Sequence, residues 1–130
     1  MFREPIPEDV NFLANRSVNA ALKVHKELGP GLLESVYESC LYYELKKENL
    51  EVEKQVRLPI YYDGVKLDAD LRLDIWVNKK LVIEVKSVET VLPVHHAQLL
   101  TYLKLTKNRL GLLINFNVNL LKNGIKRIAL

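Results

Sequence analysis

Asp74-Ile75-Trp76-Val77-Asn78-Lys79-Lys80-Leu81-Val82-Ile83-Glu84-Val85-Lys86 reads as a β-hairpin that carries two carboxylates and a lysine inside an otherwise apolar sheet. Charged side chains avoid such places unless a partner or a cation holds them. Side chains alternate across a strand, so Leu71, Leu73, Ile75 and Val77 are expected on one face and Arg72, Asp74 and Trp76 on the other. In the next strand Leu81, Ile83 and Val85 share a face, opposite Val82, Glu84 and Lys86. The two apolar faces coincide only if each opposed pair of residue numbers has an even sum. A three-residue loop at Asn78-Lys79-Lys80 then sets Val77 opposite Leu81, Ile75 opposite Ile83, Asp74 opposite Glu84 and Arg72 opposite Lys86. A two-residue turn would pair Asp74 with Val85 and scatter the charges. The expectation is therefore a cross-strand Asp74–Glu84 pair on one face, with roughly 4.5–5.5 Å between Cβ atoms.

Outward from this hairpin, the period of two continues upstream as far as Val52, and Asp63-Gly64 is a strong turn signal. Strands are predicted over 53–62, 66–77 and 81–87. Val10, Leu13, Ala14, Val18, Ala21, Leu22 and Val24 recur at helical spacing, which predicts a helix over Glu8–Leu28, interrupted by Gly29-Pro30-Gly31. Leu33, Val36, Tyr37, Cys40 and Leu41 form the stripe of a second helix over 32–49. Pro93 precedes a third helix over 94–106, and Gly111–Phe116 is a short apolar run suited to a strand buried on both faces. A last strand over Ile125–Ala129 follows the turn at Asn123-Gly124. The order is helix, helix, three strands, helix, two strands: an α/β fold with a mixed sheet flanked by helices.

At 130 residues and 48% hydrophobic composition, the chain suits one domain, 1–130, with a core of its own. Charged residues make up 27% and no apolar run approaches a membrane span, so no membrane is expected as a partner. Met1-Phe2-Arg3-Glu4-Pro5 lacks the basic-then-apolar layout of a secretory signal, and a cytoplasmic location is expected. Cys40 is the single cysteine, which excludes an internal disulfide and four-thiolate zinc or iron–sulfur sites. A net charge of +3 permits nucleic acid without demanding it.

Two carboxylates this close repel unless a cation or a proton lies between them. Hard oxygen ligands suit Mg²⁺ or Mn²⁺, which keep most of their waters and need one or two carboxylates. Lys86, two residues beyond Glu84 on the same face, is placed to hold a water or a phosphate oxygen, and metal-assisted hydrolysis of a phosphodiester follows as the expectation. The competing reading is plainer: Asp74 as an exposed carboxylate paired with Lys86 or Arg72.

Beyond the hairpin, Gly31-Leu32-Leu33-Glu34-Ser35-Val36-Tyr37 fits the pattern that names the GxxExxY protein family. The resemblance continues through Arg72-Leu73-Asp74, Ile83-Glu84-Val85-Lys86, His95-His96-Ala97-Gln98-Leu99-Leu100-Thr101-Tyr102-Leu103 and Gly111-Leu112-Leu113-Ile114-Asn115-Phe116. That family looks like a small branch of the PD-(D/E)XK nuclease superfamily. The resemblance implies a restriction-endonuclease-like core, with Asp74 and Glu84 as metal ligands, Val85 as a ligand through its backbone carbonyl, and Lys86 as the active-site lysine. Leu73 stands where the superfamily name has proline.

Two further positions resemble the RecB and phage-exonuclease branch. Glu34 corresponds to a helical glutamate that reaches toward the metal, and Gln98 with Tyr102 matches a Gln-x-x-x-Tyr motif, one helix face presenting both. Glu38 ranks below Glu34 as an alternative ligand. Tyr37 reads as a packed aromatic with its hydroxyl tied to a polar neighbour. His25, His95 and His96 lack a convincing ligand spacing, and at most one of the adjacent pair faces the site.

The expected activity is Mg²⁺- or Mn²⁺-dependent hydrolysis of DNA, with Lys86 acting as a cation that orients water and stabilises charge on phosphate. The alternative is a non-catalytic nucleic-acid-binding or regulatory module on a nuclease scaffold. Little chain remains to build a groove once the core is made, so a homo-oligomer or protein partner is expected to complete it, with Tyr61, Tyr62 and Trp76 as exposed aromatics for that surface.

Overall fold

A stripe of apolar residues three and four apart builds the first helix, α1 (Glu8–Leu28), which buries Val10, Leu13, Ala14, Ala21 and Val24. Gly29, at φ 70°, ends it by donating its N–H to the His25 carbonyl at 2.7 Å. The structure is a computed structural model and describes residues 4–130. The second helix, α2 (Glu34–Lys46), buries Tyr37, Leu41 and Leu45 at intervals of four. It is shorter at both ends than the expected 32–49. Leu33 is still extended as the residue before the helix, and Asn49 turns the chain at φ 59°.

β1 (Val52–Tyr62) and β2 (Val65–Val77) form a long antiparallel hairpin around Asp63 and Gly64. Both turn residues are left-handed, at φ 54° and 75°, as a two-residue hairpin turn matching strand twist requires. β3 (Leu81–Lys86) returns antiparallel to β2. A crossover through α3 (Pro93–Thr106) then brings β4 (Leu110–Asn115) parallel to β3, and a short 3₁₀ turn at Leu121–Gly124 leads to β5 (Ile125–Ala129), antiparallel to β4. The sheet order is β1-β2-β3-β4-β5, and the α/β fold with a mixed, helix-flanked sheet is as expected. β4 is buried at every residue.

The sheet separates two apolar layers. One joins α1 and α2 to Ile75, Val77, Leu81, Ile83, Val85, Leu112 and Ile114. The other joins Leu99, Tyr102 and Leu103 of α3 to Leu73, Val82, Leu113 and Ile128. Leu73 and Ile75 therefore face opposite layers, although strict alternation puts them on one face. On β1, Val56 packs with the α3 layer, like the Leu73 opposite it, so the hairpin turns over at Gln55 and Asp74. Gln55 carries the distortion: its φ is 52°, left-handed in the middle of a strand.

This reversal corrects the expected hairpin. The register is found as read at Val77↔Leu81 and Ile75↔Ile83, with Trp76↔Val82 between them, but the ladder stops there. Asp74 and Glu84 are not a bridged pair, and Arg72 does not oppose Lys86; Arg72 instead opposes Arg57. Trp76 is not an exposed aromatic either. It is half-buried, packs toward the α3 layer and donates its indole N–H to Asn108 Oδ1 at 2.7 Å. Tyr61 and Tyr62 are exposed as expected, at 62% and 72%. They sit near the end of an arm, since residues 61–70 are all exposed and β1 and β2 have only each other as neighbours there.

Candidate active site

Where β2 departs from β3, two carboxylates occupy the fork and take over the backbone bonds the strands no longer exchange. The Asp74 N–H donates to Glu84 Oε2 at 2.9 Å, and the Val85 N–H donates to Asp74 Oδ2 at 2.8 Å. Each side chain thus holds the other's strand. In a β-strand the N–H and C=O of one residue leave on the same side. The Val85 carbonyl accordingly faces the fork, where β2 no longer covers it, while the Lys86 carbonyl accepts from Phe116 N–H on the other side at 2.9 Å.

Burial makes these carboxylates resist ionisation. Glu84 is only 4% exposed, and its carboxyl is pushed up to about 8 by burial first and by the charge of Asp74 second; the Asp74 N–H and Lys86 pull the other way. Asp74 is raised by burial, against the Val85 N–H and Lys86, with Glu34 adding to the rise. Glu38 is raised by burial and then by Asp74. Four acidic groups from α2, β2 and β3 therefore act on one another around one point. Lys86 makes no ion pair within 4 Å among the described residues, and its charge acts on both Asp74 and Glu84.

The sequence reading missed Gln55 and underrated Glu38. Gln55 Nε2 donates to Glu38 Oε1 at 2.6 Å, and the same side chain eases the ionisation of Asp74. The left-handed turn at Gln55 aims its amide at both acids. No glycine, asparagine or aspartate marks that position, so sequence carried no signal for it.

The segment from Gly29 to Tyr37 works as one unit. The buried Tyr37 hydroxyl donates to the Gly29 carbonyl at 2.5 Å and accepts from Leu32 N–H at 3.1 Å, and its ring stacks on Phe116 at 4.5 Å between centroids. Gly31 sits at φ 97°, open to glycine and strained for other residues. The loop so fixed receives Ser87 Oγ–H on the Leu32 carbonyl at 2.6 Å, while Ser87 N–H donates to Glu34 Oε2 at 3.2 Å. Glycine, glutamate and tyrosine of the motif thereby tie α2 to the end of β3. Tyr37→Phe leaves the Gly29 carbonyl and Leu32 N–H without this partner and is expected to cost about 1–3 kcal/mol in urea unfolding, with the fold retained.

Tyr102 lies against the site from α3: it is buried, and its phenol is raised by burial and then by the charges of Glu84 and Asp74. Gln98, one turn earlier, is exposed, and its side chain takes no hydrogen bond with another described residue. The structure thus gathers Asp74, Glu84, Val85, Lys86, Glu34 and Tyr102, with the Gln98 side chain exposed on α3. The histidines have other work. His25 Nε2 bonds the Val118 carbonyl at 2.8 Å, and His95 Nδ1 accepts from Leu92 N–H at 3.0 Å at the start of α3.

Among the described residues no three His, Cys, Asp or Glu side chains are already drawn into a ligand cluster. The oxygens of Asp74 and Glu84 and the Val85 carbonyl are nevertheless the hard donors that Mg²⁺ or Mn²⁺ takes, and such an ion offsets the burial and the neighbouring like charge that raise both carboxyls. The residues present fit a hydrated divalent cation.

The family model of the PD-(D/E)XK nuclease superfamily matches residues 11–128. Comparison with curated proteins and with solved structures gave no match. No helix of the described residues is long and apolar enough to cross a membrane.

Proposed function

This chain belongs to the PD-(D/E)XK nuclease superfamily, and from that membership we propose a metal-dependent nuclease that hydrolyses phosphodiester bonds of DNA. The observation that carries the reading is the buried fork, in which Glu84 accepts from the Asp74 N–H and Asp74 from the Val85 N–H, with Lys86 beside them. Asp74, Glu84 and the Val85 carbonyl would hold Mg²⁺ or Mn²⁺, with Glu34 reaching in from α2. When bound, the ion acts as a Lewis acid toward phosphate and water. Lys86 supplies positive charge at this point; it orients the attacking water and balances charge that grows on the phosphate oxygens. Gln55 and Glu38 steer Asp74, and Tyr102 closes the α3 side against solvent. Gln98, exposed on α3, is free to meet substrate. The whole of 1–130 acts as one domain.

The test is cleavage of end-labelled single- and double-stranded DNA and of RNA in Mg²⁺, Mn²⁺ or EDTA. Metal-dependent cleavage of DNA is the expected result. No cleavage of any substrate with either metal would overturn the proposal.

A further inference from the structure

Arg57 and Arg72 are direct cross-strand partners on the exposed arm. Like charges set opposite each other on a sheet destabilise it. Arg57 reaches Asp70 at 3.7 Å, an exposed pair of little strength, and the Arg72 side chain has neither an ion pair nor a hydrogen bond among the described residues. Val56, Leu58, Leu71 and Leu73 turn to the α3 layer, so the two arginines face the opposite side, the side from which Glu34 and Glu38 approach Asp74. They stand two residues beyond Gln55 and Asp74 on their strands, roughly 7 Å along the sheet.

We propose that Arg57 and Arg72 form a clamp for a backbone phosphate of the nucleic acid, one nucleotide step from the phosphate at the carboxylate fork. The clamp rests on the reading that the fork meets a polynucleotide. Two guanidinium forks that repel each other while empty become complementary once an anion bridges them, and each can bind it through two hydrogen bonds. The need is electrostatic as well. Four acidic groups outnumber Lys86 and Lys54, the cations whose charge reaches them, so cations alongside help hold a polyanion there. A phosphate between the arginines displaces Asp70 from Arg57 at small cost, because that pair is long and solvated. The guanidinium pair reads phosphate, not sugar, so DNA and RNA of one sequence should lose affinity alike.

The experiment is fluorescence anisotropy with labelled DNA and RNA oligonucleotides in EDTA, across a KCl series, where nothing is cleaved. Arg57→Gln with Arg72→Gln is expected to weaken binding about tenfold or more and to make the slope of log affinity against log salt shallower by about one. Arg57→Lys with Arg72→Lys should keep the slope and recover part of the affinity. Lys104→Gln with Lys122→Gln, outside the arm, carries the same charge change and should leave binding near that of the unmutated protein. Equal weakening by the arginine and lysine pairs, an unchanged slope, or no binding by the unmutated protein would each overturn the clamp. Unmutated protein that cleaves nothing but binds through these arginines ends the nuclease reading and keeps the clamp. Cleavage with unchanged KM in the arginine double variant does the reverse.

Discussion

Glu84→Gln is expected to lower metal-dependent cleavage roughly a hundredfold to a thousandfold while flattening the pH dependence of the metal-free fold. Glutamine keeps the volume and still offers a carbonyl to the Asp74 N–H, so the fork should close as before. The loss of activity then follows from the missing negative charge. The stability effect has a definite sign. The Glu84 carboxyl is raised from 4.5 to about 8 in the folded chain, so the folded state holds this proton where the unfolded state has released it. Its contribution is complete below about 4.5 and is lost as pH rises through about 8, with a slope of at most about 1.4 kcal/mol per pH unit. Asp74 and Glu38 are raised as well and add the same sign. Urea unfolding in EDTA should show the unmutated protein weakening across this range and Glu84→Gln weakening less. Equal pH dependence in the two would contradict the assignment of that proton to Glu84.

Gly124→Ala is expected to be the most damaging small substitution, costing at least about 3 kcal/mol. A Cβ at Gly124 would lie 2.2 Å from the Asn115 carbonyl oxygen and 3.0 Å from Val118 Cγ2. The obstacle is main chain at the end of β4, which cannot rotate aside. Asn115 is also the anchor of the strand that leaves the site: its buried side chain accepts from Val88 N–H at 3.1 Å and donates to the Val88 carbonyl at 2.9 Å. Displacing Asn115 therefore moves the segment just beyond Lys86. Gly111→Ala is the control, because there the obstacle is the Leu99 side chain at 2.9 Å, which can shift. Chemical denaturation of both should rank Gly124→Ala well below Gly111→Ala. A loss under about 1 kcal/mol at Gly124 would contradict the clash.

Most elements were legible in the sequence because they announced their own ends, α2 being the exception at both of its own. The apolar stripe and Gly29 bounded α1 as read, Asp63-Gly64 set the tip of the arm, and the even-sum rule gave the β2–β3 register. Parity failed at one pair. Gln55 adopts a conformation its residue type gives no hint of, and the facing of Arg57, Leu71, Arg72 and Leu73 follows from that single φ. The candidate site was legible where its residues are neighbours in the chain, as with Glu84, Val85 and Lys86. Glu38 and Gln55 entered only through the packing of α2 over β1, a tertiary fact that no local pattern encodes. Trp76 was misjudged because the partner that draws it in, Asn108, lies 32 residues away.

The turn-over at Gln55 and Asp74 also separates two things that evolution or an engineer would adjust. The carboxylate palm is fixed by bonds within the fork, while the finger beyond it is a self-contained ribbon that ends at Asp63 and Gly64. Adding two residues to each strand at the tip inserts one whole pleat, so every side chain below it keeps its face and its place. Reach can thus change in discrete steps with the palm untouched, whereas a single residue gained on one strand puts the pair out of step and forces a bulge.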